Sequence, residues 1–353
     1  MFKIIEASST PYEIGYIHGK QGKTEILCSI ATYKKMFKTY ANLEWEDAKK
    51  RAVAYIEHIN KFDKDLLEEM RGVATGAGVD FEDILALNAR SEVILMTGSK
   101  VPSDGCTSIA ALPEVTAENG VLLAQNWDWK SEQIGSLLLL KIKQKNKPNI
   151  TMITEGGIIG KIGFNDAGIG VCLNALGTVG NPNGLPLHII LRGILNSRKI
   201  SDAVDKINGQ PNACAANYLI ASQCGEALDI EKTPSDFEAF YPEDGVLVHT
   251  NHFLADRFKP ADTLRFMAPD SFLRYGIAKK MLKQNLGNIT GEYIKEILSC
   301  HKDSPDAICR HEDMGEPEGL RMCTVFSILM DMKNLTMELA IGAPCENEYV
   351  KIK

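Results

Sequence analysis

The chain has 353 residues, 44% hydrophobic and 24% charged, a globular balance that excludes wholesale disorder and a fibrous chain and allows one large domain or two ordinary ones. Its net charge of −7, with no concentrated basic block, argues against nucleic acid or an anionic membrane as partner. Uninterrupted apolar runs such as Leu137 to Leu140 are far below a membrane span. The opening MFKIIEASSTPYE lacks a secretory h-region, and nine scattered cysteines without a C-x-x-C pair predict free thiols and a cytoplasmic location.

In chain order, Thr10, Pro11 and Glu13 form a capping box with proline at the first helical position, so a helix is expected from about 11 into the thirties. Helical stretches follow over roughly 46–60 and 63–77, stopped by Gly76-Ala77-Gly78, and Asp80 can cap a further helix over 81–96. GSKVPSDG, residues 98–105, reads as an exposed loop. From Cys106 the pattern changes to strands over 106–112, 120–129 and 134–143. Hairpins are expected over 161–176 and 217–233, helices over 186–197, 201–208, 270–284 and 290–300, and two closing strands over 324–342. Strands and helices do not alternate as βαβ units, so the class is α+β or a layered α/β/β/α arrangement.

The chemistry centres on Cys106. Gly105 before it lacks a Cβ, can take a strained backbone and leaves its carbonyl open to attack. A thiol on the next residue is placed for an N-to-S acyl shift that turns the Gly105–Cys106 peptide into a thioester, which water hydrolyses. The product begins with Cys106, whose α-amine, with a reference pKa of about 7.7–8.0, can serve as local base. The residues alone also fit a buried free cysteine opening a core strand.

DGCTSIA followed by QNWDW resembles the acyl-coenzyme A:6-aminopenicillanic-acid acyltransferase family, of which isopenicillin N acyltransferase is a member. PYEIGYIHG (11–19), RGVATGAGVDFEDILALNAR (71–90), VHTNHF (248–253), ICRH (308–311) and TVFSILMDM with GAPCE extend the resemblance over nearly the whole chain in family order. It implies a self-cleaving N-terminal-nucleophile hydrolase with a four-layer αββα fold. The helical 1–105 would form an α chain and 106–353 a β-rich β chain, together one domain. Cys106 is then the nucleophile, Asp128 the acidic residue beside it, Asn251 an oxyanion-hole donor and Arg310 an active-site cation. The implied reaction is hydrolysis or acyl transfer on a small amide or acyl-thioester through an acyl-Cys106 thioester. The resemblance calls for no cofactor. A catalytically silent, unprocessed relative that binds an acyl ligand is the alternative.

Other features read as weaker. His249 and His252 at i,i+3 on a strand point to opposite faces and make no chelate. Cys300, His301, Cys309 and His311 match no common zinc spacing, so no metal is expected. A thiol–imidazole pair of Cys106 with either histidine lacks the papain-type signature. Asn126 and Asp128 should share one strand face.

Overall fold

The computed structural model describes residues 2–95, 105–178, 180–181 and 183–352. Its elements in chain order are β1 (Lys3–Ser9), α1 (Pro11–Gln21), α2 (Lys23–Ala41), α3 (Trp45–Ala52), α4 (Ile56–Ala77), α5 (Phe81–Asn88), α6 (Arg90–Leu95), β2 (Gly105–Ala111), β3 (Leu122–Trp129), β4 (Leu137–Gln144), β5 (Ile150–Glu155), β6 (Ile162–Asn165) and β7 (Ile169–Ala175). They continue with α7 (Leu187–Leu195), α8 (Ile200–Asn208), β8 (Ala216–Ser222), β9 (Ala227–Lys232), β10 (Phe237–Phe240), β11 (Val246–His249), α9 (Asp270–Lys283), α10 (Gly291–Leu298), β12 (Cys323–Asp331), β13 (Thr336–Ile341) and β14 (Val350–Ile352). The chain is α+β, the class expected from the sequence. The loop expected over 98–105 lies outside the described residues except for Gly105, which is already strand.

The chain divides into two compact units. The first comprises Met1–Val101, Gly135–Ala167 and Val179–Cys214. Here β1, read from sequence as part of a helical segment, pairs in parallel with β4 from Lys3↔Leu138 to Ser9↔Gln144. Strands β5 and β6 continue the ladder antiparallel. The capping box at Thr10 is present, and the expected first helix divides into α1 and α2 at Gly22. Helices α1 and α4 approach backbone to backbone: a Cβ on Gly15 would stand 1.9 Å from the Glu69 carbonyl oxygen, and one on Gly72 2.0 Å from that of Tyr12. Only glycine permits this crossing. The break expected between residues 60 and 63 appears as Asp63, non-helical at φ −164 and ψ 103.

Two buried clusters in this unit pair their charges, as desolvation demands. Arg192 grips Glu69 through two nitrogens at 2.9 and 2.7 Å. Glu155 receives Lys161, Arg90 at 3.4 Å and the Tyr33 hydroxyl. Burial opposes its charge, but Arg90 and Lys161 outweigh that and bring its pKa down to about 2.

The second unit comprises Pro102–Ile134, Gly168–Thr178 and Ala215–Lys353. One sheet runs β11-β2-β3-β12-β13-β14, antiparallel throughout. Strands β7-β8-β9-β10 form a second antiparallel ladder. Ile109, Ala124, Val248 and Leu329 of the first sheet pack against Ala278, Leu282, Ile294 and Ile297 of α9 and α10. Its other face meets β7, where Gln125 Oε1 accepts from the Leu173 N–H at 3.0 Å and Ser108 Oγ donates to Asn174. The expected hairpins over 217–233 and 324–342 are present. The pattern did not single out the short or edge strands β10, β11 and β14, nor β5 of the first unit, which lies between β4 and β6. Among the described residues no helix is long and apolar enough to cross a membrane.

Candidate active site

Every residue singled out for catalysis lies in the second unit. Strand β2 pairs with β3 so that Gly105 faces Asp128, Cys106 faces Trp127 and Thr107 faces Asn126. Opposed residues of an antiparallel pair share a face and successive residues alternate. Gly105, Thr107, Asn126 and Asp128 therefore look toward α9 and α10, with Asn126 and Asp128 on one face as expected. Asn126 Nδ2 donates to the carbonyls of Leu298 and Ile308, both at 2.8 Å. Cys106 sits on the opposite face with Trp127 and is only 1% exposed.

The backbone of Cys106 is gripped from both sides. Its N–H donates to Asn251 Oδ1 at 2.8 Å. Its carbonyl accepts from Arg274 Nη1 at 2.7 Å. Arg274 reaches Asn251 Oδ1 at 3.0 Å with Nη2 and Thr107 Oγ1 at 3.1 Å with Nη1. Two donors on Oδ1 fix the orientation of the Asn251 amide, since a reversed amide would set donor against donor. Its Nδ2 donates to the Ala175 carbonyl at 3.1 Å. The oxygen, rather than the N–H expected from the family resemblance, thus faces Cys106 in this state.

Arg274 was not singled out by the sequence. It lies one helical turn from Asp270 on α9, and its Nε donates to Asp270 Oδ2 at 2.8 Å. An i,i+4 Asp–Arg pair ordinarily marks a solvated helix face, but this arginine is 1% exposed. Arg310 binds the same Asp270 oxygen, reaches Asp306, and brings Nε to 3.6 Å from Asp128 Oδ2. Burial opposes the charge of Asp270, but Arg274 and Arg310 outweigh it and hold its pKa below the usual carboxylate value.

Asp128 is fully buried and accepts from Thr324 Oγ1 at 2.8 Å. Thr324 Oγ1 in turn accepts from the Arg310 N–H at 2.9 Å. Burial pushes the Asp128 carboxyl up, against the pull of Arg310 and Arg274. A Cβ built on Gly105 would lie 2.8 Å from Asp128 Oδ2 and 3.0 Å from its Cβ. Glycine at this position leaves room for Asp128.

The two histidines are engaged elsewhere. His249 Nδ1 bonds the Thr250 carbonyl and Nε2 bonds Glu231, both at 2.9 Å. Burial disfavours its charge, yet Asp229 and Glu231 outweigh that and raise its pKa. His252 Nδ1 meets Ser271 Oγ at 2.8 Å, and the ring lies on Phe272 with centroids 4.1 Å apart. Burial, with His249 and Arg274 nearby, lowers its pKa to about 3.

A cavity of about 620 Å³ opens beside this constellation. Gly105, Asp270, Arg274 and Arg310 line its polar side, and Met267 and Leu273 its apolar side. That size holds a small organic molecule.

The profile of the acyl-coenzyme A:6-aminopenicillanic acid acyl-transferase family matches residues 115–346. The match includes Asp128, Asn251 and Arg310 and begins after Cys106. The acyl-coenzyme A:6-aminopenicillanic-acid-acyltransferase 40 kDa form of Emericella nidulans is 34% identical over 348 residues, covering 96% of this chain and 92% of that protein. Among solved structures, a Caenorhabditis elegans ortholog of N-acylethanolamine-hydrolyzing acid amidase is similar with a TM-score of 0.47 at 17% identity, over 65% of this chain and 93% of that one. Penicillin V acylase from Agrobacterium tumefaciens gives 0.46 at 11% identity, over 67% and 83%. The chain is an enzyme and belongs to the acyl-coenzyme A:6-aminopenicillanic acid acyl-transferase family.

Proposed function

We propose that the protein cuts its own Gly105–Cys106 peptide and then uses Cys106 to carry acyl groups from a small amide or acyl-thioester to water or an amine. The observation that carries this reading is the grip on Cys106: its N–H on Asn251 Oδ1 and its carbonyl on Arg274. A peptide whose amide is fixed beside a thiol-bearing residue is arranged for an intramolecular step, which removes most of the orientational cost.

In the cleavage step the Cys106 sulfur attacks the Gly105 carbonyl carbon. The C–N bond breaks, the nitrogen takes up a proton and becomes the α-amine of Cys106, and Gly105 is left as a thioester. Water then hydrolyses the thioester, giving the Gly105 carboxylate and the free thiol. Asp128, packed against Gly105 and with its proton affinity raised by burial, is suited to deliver the proton to the departing nitrogen. In the uncut chain Asn251 Oδ1 orients this nitrogen.

In the acyl-transfer step the α-amine takes the thiol proton, the sulfur attacks the substrate carbonyl, and the leaving amine or thiol takes the proton. Arg274, and Asn251 once its N–H turns from Ala175, supply charge to the oxyanion. A donor of that kind is worth about 2.7–4 kcal/mol. The apolar cavity wall of Met267 and Leu273 suits an acyl chain. From the Emericella relative we carry over the acyl-thioester donor class but not the 6-aminopenicillanic acid acceptor, because nothing in the lining selects a penam nucleus.

After cleavage 1–105 and 106–353 stay together as α and β chains. The β1–β4 ladder and the ion pairs from Arg90 to Glu155 and from Glu69 to Arg192 all bridge the cut within the first unit. Nine free cysteines agree with a cytoplasmic location. Quenching mature protein during turnover of an acyl-thioester and mapping peptides by mass tests the reading. Acyl mass on Cys106 supports it, and acyl mass on another residue sinks it.

A further inference from the structure

Beside Arg310 in sequence, and outside the cavity lining, the second unit gathers four potential metal ligands. His301 follows α10, Cys309 and His311 flank Arg310, and Cys345 lies in the loop after β13. One ligand atom from each falls within 4.8 Å of all the others. His301 Nε2 and His311 Nε2 are 3.1 Å apart. The sulfurs of Cys309 and Cys345 are 3.5 Å apart. His311 Nε2 lies 3.3 Å from Cys345 Sγ and 3.8 Å from Cys309 Sγ.

We infer that these four residues form a tetrahedral Cys2His2 site for a soft divalent ion, Zn2+ in the first place. With Zn–S at about 2.3 Å and Zn–N at about 2.0–2.1 Å, a regular tetrahedron has edges of about 3.3 Å between nitrogens, about 3.6 Å between nitrogen and sulfur and about 3.8 Å between sulfurs. The four separations above fall within about 0.3 Å of those edges. A hydrogen-bond chain accounts for them less well, because two imidazole nitrogens and two thiols converging on one point have few protons to share and weak sulfur partners. Two thiols and two imidazoles select zinc-like ions over Mg2+ and Ca2+, which take oxygen.

The surroundings fit the same assignment. His311 Nδ1 faces the Glu346 carboxylate at 3.8 Å. A carboxylate on the second nitrogen is the usual arrangement behind a metal-ligating histidine, and it leaves Nε2 free to ligate. Cys309 is buried, while His301 and Cys345 are exposed and give the ion a route in. Binding converts both thiols to thiolates, releases two protons and leaves a neutral centre.

The sequence hid this site. A spacing of seven residues, then one, then thirty-three matches no zinc motif, and the fourth ligand is Cys345 rather than the neighbouring Cys300. The expectation that no metal binds rested on Cys300, His301, Cys309 and His311 and left Cys345 out. Fixing Cys309 and His311 also fixes the backbone of Arg310, whose guanidinium holds Asp270 and approaches Asp128. The ion would thus pin the 301–311 loop to the C-terminal loop and steady one wall of the cavity. The assignment depends on the fold alone and stands whether or not the chain cuts itself.

The test uses full-length protein, reduced and stripped of metal by chelation, then titrated with Co2+ and in parallel with Zn2+. The expected result is about one equivalent bound per chain. Co2+ should give tetrahedral visible bands with a thiolate-to-cobalt charge-transfer band, and Zn2+ should raise the melting temperature. His301→Ala and Cys345→Ser sit at exposed positions and leave the core untouched, so circular dichroism should confirm folding. Each should weaken binding by at least about 10–100-fold, the loss that even outer-shell changes cause. Folded, reduced wild-type protein that binds neither ion overturns the site. So does undiminished binding in both variants, or a Co2+ spectrum without thiolate charge transfer. A Cys309–Cys345 disulfide that persists in reductant would overturn it as well.

Discussion

Asp128 and Gly105 face each other across the β2–β3 ladder, and the Asp128 carboxylate fills the space that a Cβ on Gly105 would need. The residue before the proposed cut is therefore defined by the acid opposite it. Gly105→Ala places a methyl group 2.8 Å from Asp128 Oδ2. Overpacking of that kind costs about 1–3 kcal/mol, and self-cleavage should slow because the carboxyl is displaced. Adding Asp128→Ala should restore the melting temperature without restoring cleavage. Cleavage at the wild-type rate in that double variant would remove Asp128 from the reaction.

Asn251→Ala should lower kcat by about 10²–10³-fold with little change in KM, the signature of a group that acts mainly in the transition state. Because Asn251 Oδ1 also holds the Cys106 N–H, the same variant should slow self-cleavage. Steady-state kinetics on mature protein and a time course on fresh precursor separate the two effects. Unchanged turnover would place Asn251 outside the site.

The base can be identified by substitution. His252 has its Nδ1 on Ser271 and its pKa lowered to about 3, so it is neutral at neutral pH and committed to packing. His252→Gln should keep turnover within a few-fold, whereas mature protein carrying a blocked residue before Cys106 should be inactive with its thiol intact. Loss of turnover in His252→Gln, with folding and self-cleavage preserved, would favour a thiol–imidazole pair.

Much of this was legible before the structure, and for identifiable reasons. Thr10 and Glu13, the break near Asp63 and the hairpin at 217–233 are set by local caps and turns, which neighbouring residues encode. The strand β1 was not, because its reason for being a strand is β4, more than 120 residues away. Cys106, Asp128, Asn251 and Arg310 could be named from motifs, and the fold draws Cys106 and Asn251 into direct contact and Arg310 toward Asp128. Arg274 was missed because an i,i+4 pair with Asp270 looks like a solvated helix face until the sheet that buries it is known. The Asn251 orientation was also out of reach, since it is fixed by Arg274.

Glu155 should govern the cohesion of the two chains. Its folded pKa is lowered to about 2, so its stabilising contribution is complete above the ordinary carboxylate pKa of about 4.3 and is lost as pH falls toward 2. Glu155→Gln removes the carboxylate charge that Arg90 and Lys161 share and should cost about 3–5 kcal/mol. Thermal melts of mature protein from neutral to acid pH check this. A variant whose stability at neutral pH equals the wild type would contradict the role given to the cluster.

The most direct test of the central claim is the intact mass and N-terminal sequence of freshly purified protein, run beside Cys106→Ala. Dividing 38.9 kDa in the proportions 105/353 and 248/353 gives chains of about 12 and about 27 kDa. The account predicts these two masses, a heavier chain that begins Cys106-Thr107-Ser108, and a single uncut chain for Cys106→Ala. A wild-type chain that stays whole on long incubation, or a Cys106→Ala variant cut at the same bond, would contradict it.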